Sequence, residues 1–479
     1  MTRELKRVSA VILIMFIALL TSSTVISVFQ VDNLRADGRN VRTLYDSYSA
    51  ERGPILVDGQ PIAESKPVDD QYNFQRVYKN PALYAAITGY FTLNQGNTGV
   101  EGALNDYLSG TANDQFLAQV NAILTGQKPK GAAVSLTIDS RVQQAAWDAL
   151  GDHTGAVVAI DPKTGAILAM VSKPSFDPNL LASHKTPDVI ANYKKLLGDP
   201  TDPLINRAIA GNLYHPGSTF KLLVASAAID SGKFVPESTF PNPARLKLPL
   251  SNSTISNSGG GTCGPGETVS IADALRLSCN IPFAELGAAI GQDTMRKYTK
   301  QFGFGTDLNI PMRVTPSSFP ESVDAPGLML SSFGQADVRV TPLQMAMISA
   351  AIGNGGVSMK PNLIKGIAAP DLTVIQQFEP QVFGTPISAQ TAQTLSGMMV
   401  NNVNNGAASN ARIGGVDVGG KTGTAQNGEG QPYTLWFTGF APEKDPQVAI
   451  AVVIENGTSF GNAVAAPIAR KVMEAVLKK

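Results

Sequence analysis

Apolar residues run almost unbroken through residues 8–29, pausing only at Thr21-Ser22-Ser23-Thr24. A helix of that length covers about 33 Å, enough for a bilayer core of about 30 Å. Residues 1–7 carry Arg3, Lys6 and Arg7. They predict a cytoplasmic tail, a single transmembrane anchor over 8–29 and a chain bulk outside the membrane. The competing reading is a cleaved signal peptide with its apolar core over residues 8–20. Either way residues 30–479 lie beyond the cytoplasmic membrane. No other apolar run is long enough to span.

Beyond the anchor the pattern divides in two. Residues 51–60 read as a strand entering an Asp58-Gly59 turn. Residues 81–90 and 114–125 read as short helices. Val142, Ala145, Ala146 and Ala149 recur at helical spacing over 139–150. Residues 30–150 therefore form a first module. Residues 151–479 form a second, larger domain. Its start is a hairpin: an apolar strand over 156–160, a turn over 161–165 and a returning strand over 166–171. Residues 205–350 are mainly helical segments broken by Gly, Ser and Pro. Two more apolar strands follow over 436–440 and 448–454, then a closing helix over 465–477. Strands at both ends with helices between predict an α+β domain whose sheet joins the ends. Residues 251–261 are a low-complexity Ser/Gly loop, expected to be mobile. There is no internal repeat.

Composition narrows the function classes. The 479 residues are 43% hydrophobic and 16% charged, which supports a packed core and excludes wholesale disorder. Lys+Arg and Asp+Glu both number 38, so no basic excess points to nucleic acid. The two cysteines, Cys263 and Cys279, form no Cys-x-x-Cys, and His153, His184 and His215 are scattered. No metal site and no cofactor are expected. Outside the membrane ATP is scarce and disulfides can form.

Three short motifs can supply acyl-transfer chemistry, which needs a nucleophile, a base, an oxyanion site and a hold on the substrate. Ser218-Thr219-Phe220-Lys221 follows Pro216-Gly217 and opens an apolar helical run. Lys221 then sits one turn from Ser218 on the same face. Burial lowers a lysine pKa, and a neutral amine can take the serine proton. Ser278-Cys279-Asn280 falls in a loop after a helical segment. Its hydroxyl can pass a proton and its amide can hold substrate backbone. The bland alternative is that both satisfy local backbone groups. Lys421-Thr422-Gly423-Thr424 precedes the strand holding Trp436. Lys and Thr on a cleft-facing strand can bind a carboxylate, with Gly423 leaving room for substrate backbone. A second Lys-Thr-Gly, Lys163-Thr164-Gly165, is a hairpin tip. Residues 415–422 also match the phosphate-binding loop pattern. The glycines after Thr422 argue against the helix such a loop requires.

The order and spacing of these motifs resemble the signature of penicillin-binding proteins and class A β-lactamases. His215-Pro216-Gly217-Ser218-Thr219-Phe220-Lys221 is similar to the nucleophile segment. Ser332-Phe333-Gly334-Gln335 with Val340-Thr341-Pro342 is similar to a second family string. Residues 420–426 and 436–442 resemble the sheet face. Arg52-Gly53-Pro54-Ile55, Glu101-Gly102 and Leu108-Ser109-Gly110 resemble the N-terminal module of the class B, transpeptidase-only branch, and within it the short actinobacterial A-type. The resemblance implies an antiparallel sheet with helices on both faces, beside a smaller N-terminal α+β module.

It also implies roles. Ser218 attacks the D-Ala-D-Ala bond of a donor stem peptide and Lys221 is general base. Ser278 relays a proton and Asn280 orients the donor. Backbone N–H groups of Ser218 and Thr424 form the oxyanion hole. Lys421, Thr422 and Thr424 bind the terminal carboxylate. The implied partners are stem peptides on lipid-linked precursor or nascent glycan strands, β-lactams, the cytoplasmic membrane, and wall-synthesis or division proteins. Rival functions are a D,D-carboxypeptidase, a β-lactamase and a non-catalytic scaffold for wall assembly. Cys279 stands where Asp is common in the family. In the external compartment it pairs with Cys263, bracing the catalytic loop, or both remain free thiols.

Overall fold

The computed structural model describes residues 2–26, 30, 50–115, 130–211 and 213–478. Helix α1 (Thr2–Thr24) begins ahead of the expected span and takes in its basic residues. Among the described residues it is the one helix long and apolar enough to cross a membrane, with a mean hydropathy of 1.9 over its apolar window. Residues 27–29 of the expected anchor lie outside the described residues. So does most of the helix expected over 114–125, where Asn113–Gln115 form a single 3-10 turn.

The first module is built on β1 (Ile55–Val57), β2 (Gln60–Pro67), β3 (Phe74–Tyr78), helix α2 (Pro81–Thr88) and β4 (Ala133–Leu136). β1 and β2 turn at Asp58-Gly59, both with positive φ (49° and 74°). That is the geometry Asp-Gly favours in a tight hairpin.

The second domain starts with α3 (Ser140–Leu150), β5 (Gly155–Ile160), β6 (Ile167–Lys173) and α4 (Lys221–Asp230). A small hairpin, β7 (Arg245–Lys247) and β8 (Thr254–Ser256), precedes α5 (Ile271–Leu277), α6 (Ile281–Ile290) and α7 (Pro342–Gly353). After β9 (Ile364–Ala368), β10 (Val374–Gln377) and α8 (Ala389–Asn405) come β11 (Gly419–Ala425), β12 (Tyr433–Ala441), β13 (Val448–Gly457) and α9 (Gly461–Leu477).

The central sheet has the order β11-β12-β13-β5-β6 and is antiparallel throughout. β13 pairs with β5, so strands from the two ends of the domain meet, as the pattern predicts. β5 is buried at every position. Ala156, Val158 and Ile160 enter one core, while Val157 and Ala159 enter the other. This two-sided burial explains why the strand reads as a continuous apolar run and not as alternation. α7 covers one face. α3 and α9 cover the other.

Two features cross the division expected at residue 150. α3 packs on the central sheet, through Val142, Ala146 and Leu150. Conversely, β9 and β10 leave the larger domain and extend the first module's sheet, whose order is β10-β9-β4-β1-β2-β3. Part of the stretch expected to be a mobile loop, 251–261, has regular structure. Thr254–Ser256 form β8, paired with β7, and the Asn257 side chain is tied to the start of α6.

A buried ion cluster braces the first module. Glu101 accepts from Arg52 Nε and Arg76 Nε, each at 2.6 Å. Tyr78 donates its hydroxyl to the same carboxylate at 3.2 Å. Two of the three residue strings singled out in this module, around Arg52 and Glu101, thus meet in one contact, and the third joins through Gly53 N–H donating to Leu108 O at 2.8 Å.

Candidate active site

The nucleophile segment begins at Gly217, whose φ of +52° suits glycine. Gly217–Phe220 form a 3-10 turn that runs into α4. Ser218 is thereby held at a helix start and borders a cleft of about 1040 Å³. Three contacts seat this turn. Gly217 N–H donates to Gly334 O at 2.9 Å. Trp436 Nε1 donates to His215 O at 2.9 Å. Tyr214 lies edge-on to the Trp436 ring at 5.8 Å and donates to Glu455 Oε1 at 2.6 Å. Gly334 has no substitute here: a Cβ on it would lie 2.0 Å from Gly217 O. This gives the Ser332-Phe333-Gly334-Gln335 string a physical job, as the bed under the nucleophile.

Lys221 is fully buried. Its Nζ lies 3.0 Å from Ser218 Oγ, 2.8 Å from Ser278 O and 2.8 Å from Asn280 Oδ1. Burial, and then the nearby charge of Lys421, push its pKa well below the usual lysine value. Lys421 is fully buried as well, and desolvation brings its pKa down to about 7. Its Nζ donates to Ser278 Oγ at 2.6 Å and to Thr422 O at 2.9 Å.

Ser278 ends α5 in the left-handed conformation, φ 63°. That conformation is rare for a residue with a side chain. Here it lets the carbonyl face one lysine while the hydroxyl meets the other. The turn is held from a segment that sequence reasoning missed. Asn257 Oδ1 accepts from Asn280 N–H and Ile281 N–H at 2.9 and 3.0 Å, capping α6 from a distance. Asn280 Nδ2 donates to Ser256 O at 3.0 Å. Cys263 and Cys279 are joined in a disulfide, with Cα atoms 5.8 Å apart. A lone Asn in a Ser/Gly stretch carries no sequence signal for such a role.

β11 is an edge strand. Gly420 O accepts from Asn402 Nδ2 and Thr422 O from Lys421 Nζ, so these peptides face the open edge. Alternation along the strand turns the Thr424 N–H to the same side, toward Ser218. Residues 415–422 do not form a phosphate loop, because the chain continues from Gly419 as strand and not helix.

The surroundings of Lys421 and Gly423 add detail to their expected roles. Lys421 lies beneath the cleft wall and reaches it through Ser278 and Thr422. Gly423 makes room for the protein's own nucleophile segment: a Cβ there would lie 2.9 Å from Pro216 O and 3.2 Å from Thr219 Cγ2. Thr422 Oγ1 donates to Ala407 O at 3.1 Å. Thr424 Oγ1 accepts from Gly461 N–H at 3.1 Å, which leaves its own hydrogen for a ligand.

A buried serine–lysine pair, a Ser-x-Asn turn and a Lys-Thr-Gly edge strand meeting around one cleft define a serine acyltransferase of the penicillin-interacting class. Residues 155–474 match the family described as penicillin binding protein transpeptidase domain, and residues 52–134 match the penicillin binding protein A dimerisation domain. The chain belongs to the penicillin-binding protein transpeptidase family. It is 42% identical to the peptidoglycan D,D-transpeptidase PbpA of Mycolicibacterium smegmatis, over 100% of both chains. It is 41% identical to PbpA of Mycobacterium tuberculosis, over 100% of this chain and 99% of the other. Its structure is similar to an imipenem acyl-enzyme complex of M. tuberculosis penicillin-binding protein A, with a TM-score of 0.86 and 39% identity. That match covers 90% of this chain and 100% of the other.

Proposed function

We propose that this chain is a membrane-anchored peptidoglycan D,D-transpeptidase and a target of β-lactams. One observation carries the reading: the hydrogen-bond arithmetic of Lys221. A neutral amine has two N–H donors and one lone pair. Ser278 O and Asn280 Oδ1, both at 2.8 Å, take the two donors. The lone pair is then left for the Ser218 hydroxyl at 3.0 Å. Burial among apolar groups with no carboxylate partner favours that neutral state.

Chemistry follows from the geometry. Lys221 Nζ takes the proton of Ser218 Oγ, which attacks the carbonyl of the penultimate D-alanine. The oxyanion is held by the N–H groups of Ser218 and Thr424. The Thr424 hydroxyl holds the terminal carboxylate, Thr422 joins it once its hydroxyl turns from Ala407 O, and the Lys421 charge lies behind them. Ser278 Oγ, hydrogen-bonded to Lys421, relays to the departing D-alanine amine the proton that Lys221 took from Ser218, which returns Lys221 to its neutral form. Asn280 orients the donor. An amine of a second stem peptide then attacks the acyl-enzyme and frees Ser218. A β-lactam follows the first half of this course, and its ring-opened acyl group stays on Ser218.

α1 exposes its apolar side chains and anchors the protein in the cytoplasmic membrane, with Arg3, Lys6 and Arg7 on the cytoplasmic side. The first module is the surface offered to wall-synthesis or division proteins. The experiment is mass spectrometry of the full-length chain after labelled penicillin. A lasting adduct on Ser218 supports the reading; rapid turnover favours a β-lactamase. Cross-linked dimers from stem peptides, against free tetrapeptide, separate transpeptidation from carboxypeptidation. Normal cross-linking in cells carrying Ser218→Ala would favour a scaffold.

A further inference from the structure

The open edge of β11 is interrupted just beyond the site. Gln335 Nε2 donates to Gln426 O at 3.2 Å, and Gln335 Oε1 accepts from Gln426 N–H at 3.1 Å, in the amide orientation that satisfies both groups. One side chain therefore occupies both hydrogen-bonding positions of a strand edge, as a neighbouring strand would. Along this edge Thr422 O and both backbone groups of Gln426 are taken, which leaves Thr424 open between them.

Gln335 and Gln426 also form a partition. Together with Tyr433 they line the catalytic cleft on one side. On the other side they line a second hollow of about 750 Å³, closed by the turn between β11 and β12 and by Gly457 and Thr458. Glu429 is the one charged residue lining this hollow. Its walls otherwise offer amides, hydroxyls, glycine backbone and the rings of Pro432 and Tyr433. Such a lining suits an extended peptide that is neutral or carries an amine, and suits a carboxylate poorly.

We propose that Gln335 is a gate for the length of the donor peptide, and that the second hollow is the subsite for the part of the stem preceding D-Ala-D-Ala. This rests on the transpeptidase reading of the site. With the terminal carboxylate at Thr422 and the scissile carbonyl at Thr424, the rest of the donor runs along β11 toward Gln426. A backbone pairing there must take the two positions Gln335 holds. Gln335 swings out, the Gln426 peptide pairs with the donor by strand addition, and the cleft becomes continuous with the second hollow. A short donor ends before the partition and never meets it. Gln335 is thus a specificity-determining residue, and the hollow recognises the middle of the stem.

The test compares D-alanine release by the full-length chain from an N-acetylated D-Ala-D-Ala dipeptide and from a complete stem pentapeptide. Gln335→Ala removes the plug. Gln335→Glu keeps its size, but a carboxylate cannot donate to Gln426 O. Both variants are expected to raise the pentapeptide-to-dipeptide ratio of kcat/KM by about tenfold, through KM. A brace under the nucleophile would lower both substrates together and leave the ratio unmoved. An unchanged or lowered ratio in both variants overturns the gate. The Glu variant keeps the test open should the Ala variant fold poorly. If the wild-type chain takes no penicillin on Ser218, the catalytic reading falls and the gate with it. If Ser218 is acylated and the ratio does not move, the gate alone falls.

Discussion

Lys421 and Lys221 meet through one residue, Ser278: its hydroxyl accepts from Lys421 Nζ at 2.6 Å and its carbonyl from Lys221 Nζ at 2.8 Å. Two buried amines in one site cannot both stay charged cheaply. Their pKa values fall together, and the charge of Lys421 presses Lys221 lower. The arrangement divides labour. Lys221 is free to be a base, and Lys421 keeps a proton near neutrality to attract a carboxylate.

A two-limbed pH profile follows. Acylation needs neutral Lys221, so the rate falls on the acid side as that amine is protonated. Binding of a carboxylate uses charged Lys421, so kcat/KM falls as pH rises past about 7. Lys421→Met should remove the alkaline limb. It also removes the charge that lowers Lys221, so the acid limb should move to higher pH. Second-order acylation rates with a penicillin between pH 5 and 10 read both limbs. An alkaline limb that survives in Lys421→Met would rule out this assignment.

The same burial has a stability cost. Lys421 ordinarily titrates at 10.5 and in the folded chain near 7. Between those values the unfolded chain binds the extra proton, so stability rises with pH across that window. At about 1.4 kcal/mol per unit, the upper bound on the cost at neutral pH is on the order of 5 kcal/mol. Lys421→Met should therefore raise Tm by a few degrees at pH 7, with the gain shrinking toward pH 10, while acylation collapses. Melting curves at the two pH values check it.

The catalytic turn should depend on its tether. Asn257→Ala leaves Asn280 N–H and Ile281 N–H without their acceptor, and losing such a cap costs about 1 kcal/mol. Asn280 Oδ1 is also a partner of Lys221, so acylation should slow by about tenfold, equivalent to about 1.4 kcal/mol. The disulfide closes a segment with a sequence separation of 16 residues. Opening a loop of that size costs about 3 kcal/mol in the chain-entropy view. Cys263→Ser with Cys279→Ser should melt well below the parent. Unchanged melting and acylation in both sets of variants would show that the 254–263 segment is only a bystander.

The sequence made the three motifs legible because each is spelled within a few neighbouring residues, although Ser278 and Lys421 meet across 143 positions. Ser218 and Lys221 needed only one helical turn to meet, and 156–160 and 448–454 read as strands by their unbroken apolar character, while the helices on both faces were implied by the family resemblance. The tether was hidden because Asn257 reaches Asn280 across a separation of 23 residues, from a Ser/Gly stretch with no pattern. β9 and β10 were hidden for a related reason. Pairing of Ile364–Ala368 with β4 is a long-range contact, and β10 is too exposed to show alternation. Gly423 lines the cleft as expected of it, but its closeness to Pro216 across 207 residues of chain carried no sequence signal. The depth of Lys421 was invisible because burial belongs to the assembled helices around β11.

The buried cluster of the first module yields the last prediction. Glu101 is wholly buried between Arg52 and Arg76, and Arg52 also lies over the Phe91 ring at 4.2 Å. Burial alone would raise the Glu101 pKa. The charges of Arg76 and Arg52 outweigh it and hold the carboxyl below its usual value. Its stabilising contribution is thus present at neutral pH and is lost as pH falls through that lowered pKa. Glu101→Gln keeps the shape but strands two guanidinium groups away from water. Breaking such a buried pair from one side costs about 3–5 kcal/mol. The cluster joins β3 to the segment before β1, so the loss should fall first on the first module's sheet. Hydrogen exchange should show residues 55–78 losing protection ahead of β5, β12 and β13. Uniform loss of protection across both sheets would mean that the two modules unfold as one unit and that Glu101 braces the whole chain.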